Sequence, residues 1–215
     1  MGLFSSSKKK PATPYKDEAL NKIYDLLFCD KIDLYRTDEP HLYPWDTLLA
    51  ADPDADKLKM IVIDKTLESR QRILAYNLLI AAGTPSNEKE LLGVIVEVSL
   101  PEGLDVLAAY SDGTARYINY SGRMIVWETS NDISNGLIQK LFSESANTVS
   151  QIGPWDKVRW PFPNKGNVRL SFLVSDGLYF GEGPLEVLQT DPKGGPVIDA
   201  ATELMTYLIQ QSTRQ

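Results

Sequence analysis

This chain of 215 residues has a single thiol, Cys29, and a single imidazole, His41. A serine or cysteine nucleophile needs a base within hydrogen-bond reach, so any such pair must recruit His41. That histidine lies between Glu39-Pro40 and Pro44, in a loop where an imidazole is ordinarily solvated. Cys29 follows Phe28 at the end of an amphipathic stretch, the usual setting of a small buried thiol. No G-x-S-x-G elbow is present, and no nucleophilic pair is expected. One cysteine and one histidine also leave no His/Cys zinc set, so no metal is expected.

Carboxylates can perform acid/base chemistry without histidine. The candidates are Asp176 and Glu182 around the late hairpin, with Asp156 and Asp112 in loops. Asp112 and Asp176 each precede a glycine, and turn chemistry accounts for both. Asp156 and Glu182 have no such explanation. Gly181-Glu182-Gly183 is followed by Pro184 rather than a helix, and no GxxxxGK[ST] occurs, so neither a nucleotide loop nor any other cofactor is expected.

Aromatic residues exceed structural need in one place. Trp155, Trp160 and Phe162 sit in the proline-rich stretch GPWDKVRWPFPNKGN (153–167), with Asp156, Lys157 and Arg159 interleaved. Tyr179, Phe180 and Glu182 follow on a hairpin. Large aromatics beside arginine are the currency of protein-binding hot spots, and they also wall small-ligand pockets. The expected binding surface is therefore Trp155, Asp156, Arg159, Trp160, Phe162, Tyr179, Phe180 and Glu182.

At the N-terminus, Met1-Gly2-Leu3-Phe4-Ser5-Ser6 has the spacing of an N-myristoylation signal at Gly2. Lys8, Lys9 and Lys10 would supply the second attraction that one acyl chain needs for stable anchoring. The favoured reading of the same residues is an ordinary solvated leader, and weak peripheral membrane contact through Gly2 to Lys10 stands as an alternative.

Composition bounds the rest. The net charge of −7, from 29 acidic and 22 basic residues, lacks the positive footprint of broad nucleic-acid binding. No apolar run approaches the roughly 20 residues that span a bilayer, and the lysine cluster is not followed by an apolar signal core. One cysteine permits no intrachain disulfide, which suits a reducing, cytoplasmic compartment.

The elements that position these residues follow from periodicity. Tyr15 to Cys29 carries Leu20, Ile23, Tyr24, Leu27 and Phe28 on one helical stripe. Asp52 with Pro53 starts a second helix, and Leu67 to Ala82 forms a third, with Arg70 and Arg72 on its polar side and Gly83 at its end. This pair resembles a single HEAT-type hairpin. Leu91 to Leu100 is a nearly continuous apolar strand. Leu104 to Glu128 then reads as three strands punctuated by two-residue turns at Asp112-Gly113 and Ser121-Gly122. A helix from Ser130-Asn131 through Ile152 follows, with Ile133 among its inward residues. Next come a hairpin of Val168–Val174 and Leu178–Phe180, and a last helix opening at Gly195-Pro196.

Strands in runs rather than alternating with helices mean α+β. The expectation is an antiparallel β-meander sheet of about five or six strands, covered on one face by the two long helices. The N-terminal helices pack at an end or on the other face. Three segments are anticipated: a flexible leader 1–13, a helical segment 14–84 and a sheet domain 85–215. The layout resembles longin, roadblock or profilin-like platforms. The blocks GLDVLAAYSDGTARYINYSG, IGPWDK and LSFLVSDGLYFGEGP are similar to segments of a family of uncharacterised bacterial proteins, and that resemblance brings no assigned activity and no site. The functional expectation is a non-enzymatic cytosolic interaction or regulatory module with a protein partner. A ligand-binding or hydrolytic protein at the same aromatic surface is the first alternative.

Overall fold

The computed structural model describes residues 13–213. Helix α1 (Glu18–Leu26) starts where the Asp17 side chain accepts from the N–H groups of Ala19 and Leu20. Its final carbonyls are not left to solvent. The hydroxyls of Tyr35 and Tyr110 donate to the Leu26 and Leu27 carbonyls at 2.9 and 2.7 Å. Short helix α2 (Trp45–Leu48) leads to α3 (Ala55–Ile63) and α4 (Ser69–Ala81). The cap of α3 is Asp54, not Asp52, because its carboxylate reaches the Asp56 and Lys57 N–H groups.

The remaining elements are β1 (Leu91–Ser99), β2 (Leu104–Tyr110), β3 (Ala115–Ile118), β4 (Met124–Trp127), α5 (Asp132–Val149), β5 (Asn167–Val174), β6 (Gly177–Pro184), α6 (Leu185–Thr190) and α7 (Gly194–Ser212). The six strands form one antiparallel sheet in the order β4-β3-β2-β1-β5-β6. The fold is α+β, in keeping with the order of elements along the chain. Short helix α6 has no counterpart in the sequence pattern, since six residues give too little periodicity to register.

The meander turns carry one residue more than a two-residue hairpin. Gly113 N–H donates to the Tyr110 carbonyl at 3.0 Å, while Tyr110 N–H donates to the Thr114 carbonyl at 2.9 Å. Gly122, Asn119 and Arg123 repeat the pattern. Both glycines have φ of +87°, so each supplies the left-handed residue that closes a three-residue loop.

Helices cover both faces. The helices α5 and α7 pack on one face through Leu141, Val149, Leu204 and Leu208, against Val94, Val96, Leu170 and Phe172. The helices α1, α3 and α4 pack on the other through Tyr24, Phe28, Ile61 and Leu74, against Leu92, Ile95, Val106 and Ile118. The helical segment and the sheet therefore share one core. Central β1 is buried along nearly its whole length, which explains its nearly continuous apolar run.

Three side chains or boundaries depart from the sequence expectation. Arg72 is buried and donates to the Val62 carbonyl and to Glu90, rather than lying on a polar face. Ile133 is 63% exposed, because it sits in the first turn of α5, outside the inward stripe. Helix α5 ends at Val149, short of Ile152.

Candidate functional site

The β5–β6 hairpin sorts the candidate residues by strand alternation. Glu182 lies opposite Arg169, Phe180 opposite Ser171 and Tyr179 opposite Phe172. Because successive side chains point to opposite faces, Phe180 and Glu182 face the N-terminal helices while Tyr179 faces α5 and α7. Tyr179 is fully buried there and its hydroxyl donates to Asp176 at 2.8 Å. It does not join the aromatic surface.

The other aromatics do converge. The segment after α5 returns along β6, where Trp155 N–H donates to the Leu178 carbonyl at 2.6 Å. Trp155, Trp160 and Phe180 then meet edge to face in a closed triad. The ring centroids lie 5.3 Å (155–160), 5.0 Å (155–180) and 5.4 Å (160–180) apart. Each edge-to-face pair adds about 0.5–1.5 kcal/mol beyond area burial. Trp160 nonetheless remains 49% exposed and Val158 beside it 88%. Phe162 turns inward and packs against the N-terminal-side core, and Asp156 is exposed.

Buried charges hold this loop. The Arg159 guanidinium lies 3.8 Å from the Phe28 ring centroid and pairs with Asp30 at 2.7 Å and Asp25 at 2.8 Å. Burial alone would raise the Asp25 carboxyl, but hydrogen bonds from Lys31 and Arg159 outweigh it and hold the group below its ordinary range. Arg169 grips the Glu182 carboxylate with two donors, at 2.6 and 2.9 Å, and donates to the Trp160 carbonyl at 3.1 Å. The second Glu182 oxygen accepts from Asn167. Glu182 is thus fully engaged in holding the hairpin and the Trp160 backbone.

Behind Arg169 lies Glu97, which is wholly buried. One oxygen accepts the Tyr24 hydroxyl at 2.6 Å. The other has no hydrogen-bond partner among the described residues and stands 3.8 Å from the Arg169 guanidinium. Burial raises the Glu97 carboxyl above its ordinary range, opposed by Arg169 and Tyr24. Sequence reasoning missed Glu97 and Arg169 as a pair, yet each carries the one charge in its otherwise apolar strand, GVIVEVSL and VRLSFLV. Two lone opposite charges in buried strands are a signal for cross-strand pairing.

Elsewhere the structure places little reactive chemistry. The Cys29 thiol is buried and pushed up to about 12, chiefly by desolvation. Its polar neighbours are the Leu26 and Leu27 carbonyls and the Tyr35 hydroxyl, not His41. Among the described residues, no group of three or more His, Cys, Asp or Glu is placed to hold a metal ion. None of their helices is long and apolar enough to cross a membrane. Gly2 and Lys8 to Lys10 lie outside the described residues. Comparison of the chain with protein-family models and with curated proteins finds no match.

Proposed function

We propose that this protein is a non-enzymatic interaction module that docks a protein partner on the Trp160 surface. The observation that carries this reading is a half-exposed tryptophan held in place from every side. Trp155 and Phe180 brace its ring, and Arg169 holds its backbone carbonyl. Hot spots are rich in tryptophan and arginine, and a side chain already fixed in its bound geometry loses little entropy on association. Val158 extends the apolar area, and Lys157 and Asp156 form a polar rim. A cytosolic setting fits the single buried cysteine.

The hydrolytic alternative has less support. Glu182 is occupied by Arg169 and Asn167, and Asp156 is exposed to solvent rather than enclosed in a pocket with it. Affinity capture from native lysate with wild type, Trp160→Ala and the distant surface control Met60→Ala tests the proposal. The expected result is a partner held by wild type and by Met60→Ala but lost with Trp160→Ala, all three having the same circular dichroism. A partner that binds Trp160→Ala as strongly as wild type overturns it.

A further inference from the structure

The opposite face of the sheet carries an independent feature. Between β1–β2 and the helices α6 and α7, packing leaves a cavity of about 250 Å³. Its walls include Val98, Leu107, Leu185, Ile198, Ala201 and Met205. Thr202 and Gln189 at the margin are exposed, so the cavity opens to solvent on the α6–α7 side. Its lining is mostly aliphatic, so an apolar chain that displaces water from it would gain by burial.

One charged group lines the cavity, and it is uncompensated. Asp105 accepts the Tyr117 hydroxyl at 2.8 Å through one oxygen and the Tyr120 N–H at 2.7 Å through the other. Among the described residues no lysine, arginine or histidine forms an ion pair with it. The Tyr117 hydroxyl is pushed up by burial and by Asp105, and stays a neutral donor. Other charged groups line the neighbouring grooves rather than the cavity itself. One adjoining groove carries Lys165 and Glu186, of opposite sign, and a second, which shares Tyr117 with the cavity, carries Arg123.

We propose that this cavity binds a short, unbranched primary amine. At interior packing density the volume accepts a chain of about eight carbons, below the roughly 300 Å³ at which larger ligand sites begin. An alkylammonium is charged at neutral pH, since its group titrates near the lysine value of about 10.4. It would lay its chain along Leu107 and Ile198 and bring its charge to Asp105. A fatty carboxylate would meet the same carboxylate as a repulsion.

Calorimetric titration of the full chain with n-octylamine, 1-octanol and octanoate tests this. The expected order is amine, then alcohol, then carboxylate, with amine and carboxylate separated by at least about tenfold. Asp105→Asn should bring the amine to the level of the alcohol and leave the alcohol unchanged. Ala201→Phe, which fills the gap, should abolish all three. No binding of octylamine up to about 1 mM, a constant near the weakest specific affinities, overturns the proposal. So does equal binding of octanoate, or amine binding unchanged by Asp105→Asn. If Ala201→Phe does not fold, the ligand order and Asp105→Asn decide. None of these readings depends on the Trp160 surface.

Discussion

The two faces of the sheet are built from different materials. On the face covered by α1, α3 and α4, the buried set includes Glu97, Arg169, Arg116 and Arg72 together with apolar side chains. Arg116 is representative, since it donates to the Ala115 and Trp127 carbonyls and pairs with Glu128 at 2.6 Å. On the face covered by α5 and α7, no Lys, Arg, Asp or Glu among the described residues is buried to that degree; the buried polar groups there are neutral, among them the hydroxyls of Ser134, Ser145, Thr148, Tyr117 and Tyr179. Charge pairs accept only one geometry, since a displaced partner leaves a desolvated charge. Aliphatic packing accepts small shifts and gaps. The polar face therefore holds the exposed aromatic triad in one arrangement, while the apolar face has room for a cavity.

The contrast between the faces breaks most directly at Arg169. Arg169→Ala strands Glu97 and Glu182 together, and the expected loss is about 3–5 kcal/mol in urea unfolding. A loss under about 1 kcal/mol would mean that the ionic layer does not organise that face.

On the other face, adjacent alanines of α7 should respond in opposite ways. Ala200 is fully buried against neighbours, so Ala200→Phe should cost about 1–3 kcal/mol by overpacking. Ala201 lines the cavity, so Ala201→Phe should change the unfolding free energy by less than about 1 kcal/mol. Equal losses at both positions would show that the gap closes in solution.

Trp160→Ala should lower stability by about 1–3 kcal/mol, the worth of its two edge-to-face pairs, with little added from burial because the residue is half exposed. Thermal unfolding reads this, and a much larger loss would make Trp160 a core residue rather than a docking one.

The smallest expected effect is a slope with pH. The folded Glu97 carboxyl is raised by burial. Its contribution is therefore fully present below the ordinary glutamate value and lost as pH rises through the folded value. Glu97→Gln removes that loss, so its stability relative to wild type should rise with pH across that window. Asp25 behaves in the reverse sense: burial is outweighed by Lys31 and Arg159, its carboxyl is lowered, and its contribution fades as pH falls. Denaturant midpoints across pH that are parallel for wild type and Glu97→Gln would refute the assignment.

Local chemistry made part of this molecule legible without coordinates. The glycines at 113 and 122 demanded turns, the helical stripe through Leu20, Tyr24 and Leu27 demanded a helix, and the nearly continuous apolar run from Leu91 demanded a strand covered on both faces. Each of these signals is complete within a few residues, so the sequence by itself determined the order of the strands and longer helices, though not α6, and the α+β class. The convergence of Trp155, Trp160 and Phe180 was legible only as a composition. The tertiary structure decided that β5 pairs with β1 rather than extending the meander, which brings Arg169 to Glu97 across the sheet. It also decided that Tyr179 leaves the aromatic surface that its neighbour Phe180 joins. The physical reason is that alternation gives relative facing along a strand, while the absolute face depends on which elements lie above and below. The cavity beside Asp105 is likewise invisible in the sequence, because a gap is a property of how helices seat on a sheet and not of any one residue.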